Sequence, residues 1–258
     1  GTKVIRVKAD KILDYRIPIP PLEIQQEIVK ILNSFTELET ELETELEKRQ
    51  KQYEYYKEEL LAFDDQVKCK TLGEIASFLN GKGHEKFIDI EGKYIVVNSK
   101  FVSTEGRVRK YSAKQISPVS KDNILMVMSD LPKGKALAKC FYVDEDDKYT
   151  LNQRVCALSV KDRNELDAKY LFYILSRNRQ LLKYDNGVDQ TNLRKEDILR
   201  IPIPLPPLSE QQRIVSILDK FSSLVNDISI GLPAEIKARH KQYEYYRDKL
   251  LTFKEKAE

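Results

Sequence analysis

Residues 17–32 read IPIPPLEIQQEIVKIL, and residues 203–218 read IPLPPLSEQQRIVSIL. A second pair of similar segments follows, RQKQYEYYKEELLAF at 49–63 and RHKQYEYYRDKLLTF at 239–253. The first pair lies 186 positions apart and the second 190, so the later copy has four more residues between its halves. Solenoid repeats follow each other directly, about every 20–50 residues. The chain instead uses one element twice, with a different domain between the copies.

Each copy has the pattern of a long amphipathic helix. Its Pro-Pro pair ends an extended segment and permits a helix to start. In the second copy Ser209 and Gln212 have the spacing of a capping box. Apolar residues then recur mostly in steps of four and three, which is the spacing of a coiled-coil seam. We expect helices over 22–63 and 208–253 that pair with each other, the second of them kinked or restarted near Pro233.

Three identical four-residue units, TELE-TELE-TELE, occupy Thr36–Glu47 in the first helix. Their leucines, Leu38, Leu42 and Leu46, repeat every four residues and interrupt the heptad pattern. Adding or removing one unit would turn the downstream seam by only about 40° and shift it by ~6 Å along the helix. Two interpretations are open: a ruler whose length can vary without destroying the fold, or a plain acidic helix of low complexity.

The segment between the helices differs from them in its pattern of apolar and turn residues. Runs rich in β-branched and aromatic residues (KYIVVNSKFV, NILMVMS, KCFYVD and RVCALSV) alternate with turn clusters, and a helix is expected over Asp167–Lys183. Residues 4–16 align with 190–202 at the same offset of 186. We therefore predict an α+β fold, a mostly-β domain with some helix between two long helices. The predicted boundaries are 1–16 for the tail of a preceding similar domain, 17–66 for the first helix, 67–200 for the β domain and 201–258 for the second helix.

The positive charge is concentrated in the β domain. Residues 67–200 carry 25 basic and 18 acidic side chains, whereas residues 1–66 carry 10 basic and 15 acidic ones. Cations in loops suit contacts with DNA phosphates, and arginine also pairs with guanine. The alternative is an ordinary solvated surface. The residues predicted to contact DNA are Lys100, Arg107, Arg109, Lys110, Lys114, Lys133 and Lys135.

The two KQYEYY segments each contain three tyrosines. The first and last tyrosine of each segment fall on the predicted seam, so we expect them to pack within the coiled coil. The middle tyrosines, Tyr55 and Tyr245, point elsewhere. We therefore predict that these two contact a partner subunit.

Motifs of enzymes and membrane proteins are missing from the sequence. It has no GxGxxG, no phosphate-binding loop and no Asn/Asp-Pro-Pro-aromatic motif, with which an adenine methyltransferase grips a flipped base. Two histidines without a CxxC argue against a metal site, and we expect His84 to lie in a loop and the three cysteines to pack as small apolar groups. No apolar run reaches about 18 residues, and no signal peptide is visible. These observations predict a cytoplasmic, non-catalytic protein.

The arrangement resembles the specificity subunit of type I restriction–modification systems, and especially its IC subgroup. The features that carry the resemblance are the twin PPLxxQQ helix starts, the twin KQYEYY ends and the tandem TELE units. The stretches Tyr149–Val155 and Gly187–Leu193 also look like the family's target-recognition domain. The resemblance covers essentially the whole chain, but only one recognition domain is complete. The chain is thus expected to be a C-terminal portion or a half-subunit.

The resemblance implies a DNA-reading subunit without a cofactor of its own. In that family two recognition domains each read half of a split DNA site, and the two helices form an antiparallel coiled coil that docks methyltransferase subunits. Thr36–Glu47 would then set the spacer between half-sites. The implied partners are double-stranded DNA, methyltransferase subunits that bind S-adenosylmethionine, a restriction subunit in the full complex and, for a half-subunit, a second copy; no membrane is implied. The alternatives are a coiled-coil protein–protein scaffold without a DNA role, which the positive β domain argues against, and an enzyme.

Overall fold

The computed structural model describes residues 17–64, 66–132, 134, 136–226 (only the backbone of Asn226) and 231–253. The chain divides into two compact units. One comprises Glu54–Phe221, and the other comprises Gly1–Tyr53 together with Ser222–Glu258. Within the described ranges, every helix is too short or too polar to span a bilayer.

The described residues form eight helices, eleven strands and one short 3₁₀ turn. The helices are α1 (Leu22–Leu60), α2 (Leu72–Ile75), α3 (Ser99–Ser103), α4 (Ala168–Leu175), α5 (Arg179–Leu182), α6 (Lys195–Leu199), α7 (Leu208–Asn226) and α8 (Leu232–Leu251). The strands are β1 (Cys69–Thr71), β2 (Ala76–Asn80), β3 (Tyr94–Val97), β4 (Tyr111–Ser112), β5 (Ile124–Val127), β6 (Ser129–Asp130), β7 (Cys140–Tyr142), β8 (Tyr149–Leu151), β9 (Val155–Val160), β10 (Thr191–Asn192) and β11 (Pro202–Pro204). The 3₁₀ turn is Glu85–Phe87. This mixture of helix and strand, with long helices before and after the strands, confirms the predicted fold class.

The repeated segments form long helices that pair antiparallel, as expected. The ring of Phe35 on α1 stacks on that of Tyr246 on α8, with centroids 5.4 Å apart. Four residues later on α1, the carboxylate of Glu39 lies 2.8 Å from Nδ1 of His240. Because the partner's number falls as the number on α1 rises, α1 and α8 run in opposite directions.

The aromatic contact of α1 with α8 occurs a second time, in the other unit. There the ring of Tyr56 stacks on that of Phe221 on α7, with centroids 5.5 Å apart and planes at 27°. Tyr56 is the repeat equivalent of Tyr246, and Phe221 is the equivalent of Phe35. The repeated sequence therefore forms the same packing contact twice.

The second helical copy is in two pieces, as predicted. Helix α7 ends at Asn226, and α8 begins at Leu232 with Pro233 in its first turn. Gly231 caps α8 at a φ of +75°, which glycine adopts at little cost. Helix α1, which carries the TELE units, is instead continuous over 39 residues.

Two sheets enclose the core of the β domain. The larger sheet is antiparallel, with strand order β2-β9-β5-β7. In the smaller one, β3 pairs antiparallel with β4 and parallel with β8. Helix α3 closes the space between the sheets. The buried core residues from these elements and their connections are Ile95, Val97, Phe101, Val102, Val119, Leu125, Val127, Ala136, Val143, Tyr149, Leu151, Val155 and Ala157.

Strands β1 and β11 join the two ends of the β domain. Cys69 pairs with Pro204, and Thr71 pairs with Pro202. The domain therefore continues past the boundary expected at residue 200, and the second helix begins only at Leu208. The Pro-rich segment before the helix serves as an edge strand, a position in which proline is tolerated because no ladder N–H is needed there.

Two local expectations were wrong. The run KYIVVNSKFV is a strand only as far as Val97, because the side chain of Asn98 accepts the N–H of Phe101 at 2.9 Å and starts α3. The helix expected over Asp167–Lys183 is divided into α4 and α5. Between them Arg177 takes a φ of +60°, which an α-helix cannot contain.

Candidate nucleic-acid interface

Five connections meet at one end of the β domain. The register places the end of β2 opposite the start of β9, and β3, β5 and β8 end on the same side. The backbone N–H of Lys82 donates to the carbonyl of Leu151 at 3.0 Å. The N–H of Met128 donates to the carbonyl of Arg154, also at 3.0 Å. We call this side the loop end; its connections are 80–86, 98–109, 128–139, 152–154 and 186–192.

The connection between β3 and β4 carries four of the predicted DNA contacts, and Lys100, Arg107 and Arg109 lie in its part 98–109. All three side chains are exposed. Nε of Arg107 donates to the carbonyl of Thr104 at 2.9 Å, and Nε of Arg109 donates to that of Gly106 at 2.9 Å. Neither guanidinium forms an ion pair within the part of the chain that the structure describes. The bonds through Nε orient these arginines and leave their terminal nitrogens available to an anion.

A salt bridge holds this connection in place. Nζ of Lys139, just before β7, lies 2.8 Å from the carboxylate of Glu105 and donates to the carbonyl of Ser103 at 3.2 Å. The chain turns there through Glu105 and Gly106, at φ of 53° and 78°. Gly106 lies against the ring of Phe101, where a Cβ would be 3.3 Å from it. The arginines are therefore presented from an ordered turn.

Lys110 lies closer to these arginines than Lys114 does. Lys110 is exposed and directly precedes β4. Lys114 lies towards the opposite end of the domain, because Ser112 pairs with Tyr94 at the start of β3. Its ammonium group lies 5.2 Å from the centre of the Phe87 ring. The predicted patch is thus divided between the two ends.

The last two predicted contacts, Lys133 and Lys135, lie outside the described residues. They fall in the connection 128–139. The carboxylate of Asp130 stabilises this connection by accepting hydrogen bonds from its backbone. One oxygen of this carboxylate accepts the N–H of Ala136 at 2.7 Å and the N–H of Leu137 at 3.1 Å. Asp130 is therefore used within the fold.

The opposite end carries an acidic turn. Asp144–Asp147, all of them exposed, lie between β7 and β8, and the neighbouring Lys148 forms ion pairs with Asp144 and Glu145. The phenol of Tyr149 donates to Asp144 at 2.7 Å, and burial together with this bond raises the pKa of Tyr149 to about 12. The exposed arginines and this acidic turn lie at opposite ends of the strands and contribute to an electric dipole along them.

His84 lies in a loop, as expected, but it is buried there, with only 1% of its surface exposed. Its Nδ1 lies 2.7 Å from the carbonyl of Lys82, so this nitrogen carries the proton and donates. Its Nε2 therefore accepts from the hydroxyl of Thr150 at 2.7 Å. Burial lowers the pKa of His84 below its usual value. The neutral ring therefore links the connection 80–86 to β8 through these two hydrogen bonds.

The cysteines only partly follow the expectation of small apolar packing. Cys140 and Cys156 are buried, and burial raises the pKa of Cys156 to about 12 and that of Cys140 further. The thiolate form needed for reactivity is thereby disfavoured. The expectation was wrong for Cys69, which is exposed on β1.

A residue that the sequence did not single out, Gln211 near the start of α7, joins the helix to the β domain. It is fully buried. Its amide nitrogen donates to the carbonyls of Glu165 and Pro206, both at 2.9 Å. Its oxygen accepts the N–H of Asp167 at 2.9 Å. The glutamine pair common to both helix starts was a signal for this role.

The end of α1 provides a second attachment. The ammonium group of Lys57 donates to the carbonyl of Ser176 at 2.9 Å, and burial lowers the pKa of Lys57. Next to it Glu58 forms an ion pair with Arg179. Nothing in the spacing of the sequence distinguished Lys57 from its neighbours.

The start of the first copy has the same side chains in an exposed setting. Among the described residues, Gln25, the equivalent of Gln211, donates only to the carbonyl of Pro20, at 2.7 Å. Ile17 is 78% exposed, whereas its equivalent Ile203 is 0% exposed. This first helix start thus has an apolar face that the β domain covers in the second copy.

The two tyrosines predicted at a partner interface are both accessible. Tyr55 is 63% exposed and Tyr245 61%. Each meets the ring of the next tyrosine edge-on, at 5.5 Å and 5.3 Å respectively. Tyr56 and Tyr246 instead stack on the facing helix, so the structure separates the tyrosine roles as the spacing suggested.

The TELE units repeat a hydrogen bond as well as a sequence. The hydroxyl of Thr40 donates to the carbonyl of Thr36, and that of Thr44 donates to the carbonyl of Thr40, each at 2.8 Å. Each unit is thus slightly more than one helical turn with the same internal contact. The half-buried leucines of the units are Leu38, Leu42 and Leu46.

Comparison with known proteins relates the chain to one family. A family model described as type I restriction modification DNA specificity domain matches residues 1–49 and 64–238. The specificity subunit of the type I restriction enzyme EcoR124I/EcoR124II from Escherichia coli is 38% identical, and the match covers 92% of this chain and 63% of that subunit. A putative type I restriction enzyme specificity subunit from Haemophilus influenzae is 33% identical over 98% of this chain and 68% of its own length.

Solved structures agree on the fold. The S subunit of a type I restriction-modification system from M. genitalium superposes with a TM-score of 0.60 at 17% identity, covering 99% of this chain and 68% of that one. A chain of a type I R-M system, solved for its assembly and conformational transition, has a TM-score of 0.64 at 20% identity and covers 97% and 65%. The chain thus spans about two thirds of the length of these relatives.

Proposed function

The chain belongs to the type I restriction modification DNA specificity family, and from this premise we propose that residues 67–200 recognise one half of a split DNA site. The observation that carries the proposal is the loop end, where two oriented arginines without an ion-pair partner among the described residues lie opposite the acidic turn Asp144–Asp147. Positive charge supplies affinity for phosphates, and base contacts in the groove supply the sequence preference. The relatives are named as specificity subunits, which agrees with a non-catalytic chain, and no finding favours a scaffold without DNA. Because the proposed ligand is DNA, we propose that the chain acts in the cytoplasm.

The long helices have a separate role in the proposal. They recruit methyltransferase subunits, which bind S-adenosylmethionine and carry the catalytic residues, and a restriction subunit joins in the full complex. The exposed rings of Tyr55 and Tyr245 support such a contact, because large exposed aromatic groups are enriched at protein interfaces. The TELE units of Thr36–Glu47 set the spacing between half-sites.

A second recognition domain completes the split site. The exposed helix start around Ile17 and Gln25 supports this, because its equivalents in the second copy are covered by the β domain. The domain comes either from the same polypeptide or from a second copy in a homodimer. Light scattering separates the two, since only a homodimer doubles the mass of the chain in solution.

A methylome tests the function. The chain is co-expressed with the methyltransferase subunit of its own system in a host that lacks adenine methylation, and modified adenines are mapped by single-molecule sequencing. A split motif that appears only with this chain supports the proposal, and a palindromic motif supports the homodimer. Methylation with the same motif whether or not the chain is present would contradict it.

A further inference from the structure

We propose that the turn Asn152–Val155, together with Lys82, is an anchor for a DNA phosphate. The inference rests on the proposed function and adds a site to it, separate from the arginines of the connection 98–109. We call Lys82, Gln153 and Arg154 the anchor cluster. Its ligand is the phosphodiester backbone and not a base edge.

The first support is the rigidity of the turn. The N–H of Val155 donates to the carbonyl of Asn152 at 3.0 Å and closes the turn. The N–H of Asn152 donates to the carbonyl of Val97, also at 3.0 Å. Gly81 passes so close that a Cβ there would lie 2.0 Å from the carbonyl oxygen of Asn152. The backbone of the turn is therefore set before any ligand arrives, which reduces the entropy lost on binding.

The second support is the set of donors on this turn. The backbone N–H groups of Gln153 and Arg154 make no hydrogen bond within the described ranges of the chain. Both side chains are exposed, and neither forms a hydrogen bond with another described residue. Lys82 forms a β-bridge with Asn152, and its exposed ammonium group lacks an ion pair among the described residues. Backbone N–H groups, an amide, a guanidinium and an ammonium group all suit a phosphate.

Several amides near this turn are used differently. The side chain of Gln115 donates to the carbonyl of Tyr149 at 3.0 Å, and Asn98 caps α3. Gln190, on a neighbouring connection, donates to the hydroxyl of Ser129 at 2.7 Å. Those amides are used to hold the fold together, whereas Gln153 is not.

The lengths of the connections indicate that the turn between β8 and β9 contacts a phosphate and not a base edge. Only three residues separate β8 from β9, so the turn stays close to the strand ends. The connections 98–109 and 128–139 each have twelve residues, four times as many, and so have more chain with which to reach away from the strands. Long loops suit the floor of a groove, while a short rigid turn suits the backbone that borders it.

Single charge removals test the anchor. The affinity of the complex between this chain and its methyltransferase subunit is measured for duplexes with and without the methylome motif, at several salt concentrations. Arg154→Ala and Lys82→Ala should each weaken binding to both duplexes by about fivefold near physiological salt, because one lost phosphate contact flattens the logarithmic salt slope by roughly 0.9. Arg154→Lys should recover part of the loss, since it keeps the charge. Lys121→Ala is the matched control, because it removes the same charge from an exposed residue beside the turn Asp144–Asp147 at the opposite end of the domain. It should leave affinity and slope unchanged.

Other outcomes separate this inference from the proposed function. If Arg154→Ala alters the methylated motif at one position and leaves the salt slope intact, the turn reads a base and the anchor is wrong. If both anchor variants behave like Lys121→Ala while the wild type still selects its motif, only the anchor is wrong. If the wild type shows no salt-dependent binding to any duplex, both ideas fail. Unfolding curves of every variant establish that these exposed substitutions leave the fold intact.

Discussion

Replacing Gln211 with alanine should destabilise the unit Glu54–Phe221 far more than the equivalent change at Gln25. Gln211 is buried and makes three hydrogen bonds, two through its nitrogen and one through its oxygen. At about 1 kcal/mol of net stabilisation for each bond, the loss is about 2–4 kcal/mol. Gln25 makes one bond, to Pro20, so its loss should be about 1 kcal/mol or less.

Urea unfolding of the two variants and the wild type measures the difference. Because the chain has no tryptophan, far-ultraviolet circular dichroism reports the transition. For a chain of this size a loss of ~3 kcal/mol corresponds to a fall of roughly 6–12 °C in Tm. Gln211→Glu keeps one acceptor but loses both donors and buries a carboxylate oxygen against two carbonyl oxygens, so it should be at least as destabilised as Gln211→Ala. Equal losses for Gln25→Ala and Gln211→Ala would refute the reasoning, because the two changes differ only in their surroundings.

Three further predictions follow from the fold and the interface. Deleting one TELE unit, Thr40–Glu43, shortens α1 by ~6 Å and should shorten the methylated spacer by about one or two base pairs, given ~3.4 Å per pair, with both half-sites unchanged; altered half-sites would contradict the ruler. Neutralising Arg107, Arg109 and Lys110 together should weaken DNA binding and flatten its salt dependence, and an unchanged slope would place the footprint elsewhere. His84 has a lowered pKa, so the unfolded state takes up its proton first as pH falls. Stability should therefore be fully present above about pH 6.5 and decline below it, and His84→Gln should be less stable at pH 7.5 but lose less between pH 7.5 and 5.5. An unaltered pH dependence in urea unfolding would remove His84 from this role.

The helices were predictable because their signal is repeated and local. Proline pairs mark both helix starts, and the apolar spacing continues through each copy. Even the restart near Pro233 follows from the backbone chemistry of one residue. Such features need no knowledge of what packs against them.

The β domain was less predictable because tertiary contacts decide its details. The residues after Val97 have the composition of a strand, yet the cap by Asn98 makes them helical. The roles of His84 and Gln211 depend on partners 66 and 44–46 residues away. No periodicity in the sequence contains that information. The basic stretch is likewise divided in space, since strand register places Lys114 away from Arg107.

The separation of charge along the strands has a consequence for kinetics. A domain with cations at its loop end and Asp144–Asp147 at the other behaves as an electric dipole in the field of a polyanion. The field of the DNA turns the loop end of the domain towards the DNA before contact. A larger share of diffusional encounters then begins in a productive orientation. Raising the ionic strength should then slow association steeply and leave the dissociation rate nearly constant. This distribution of charge should therefore raise the rate of association with DNA as well as the affinity.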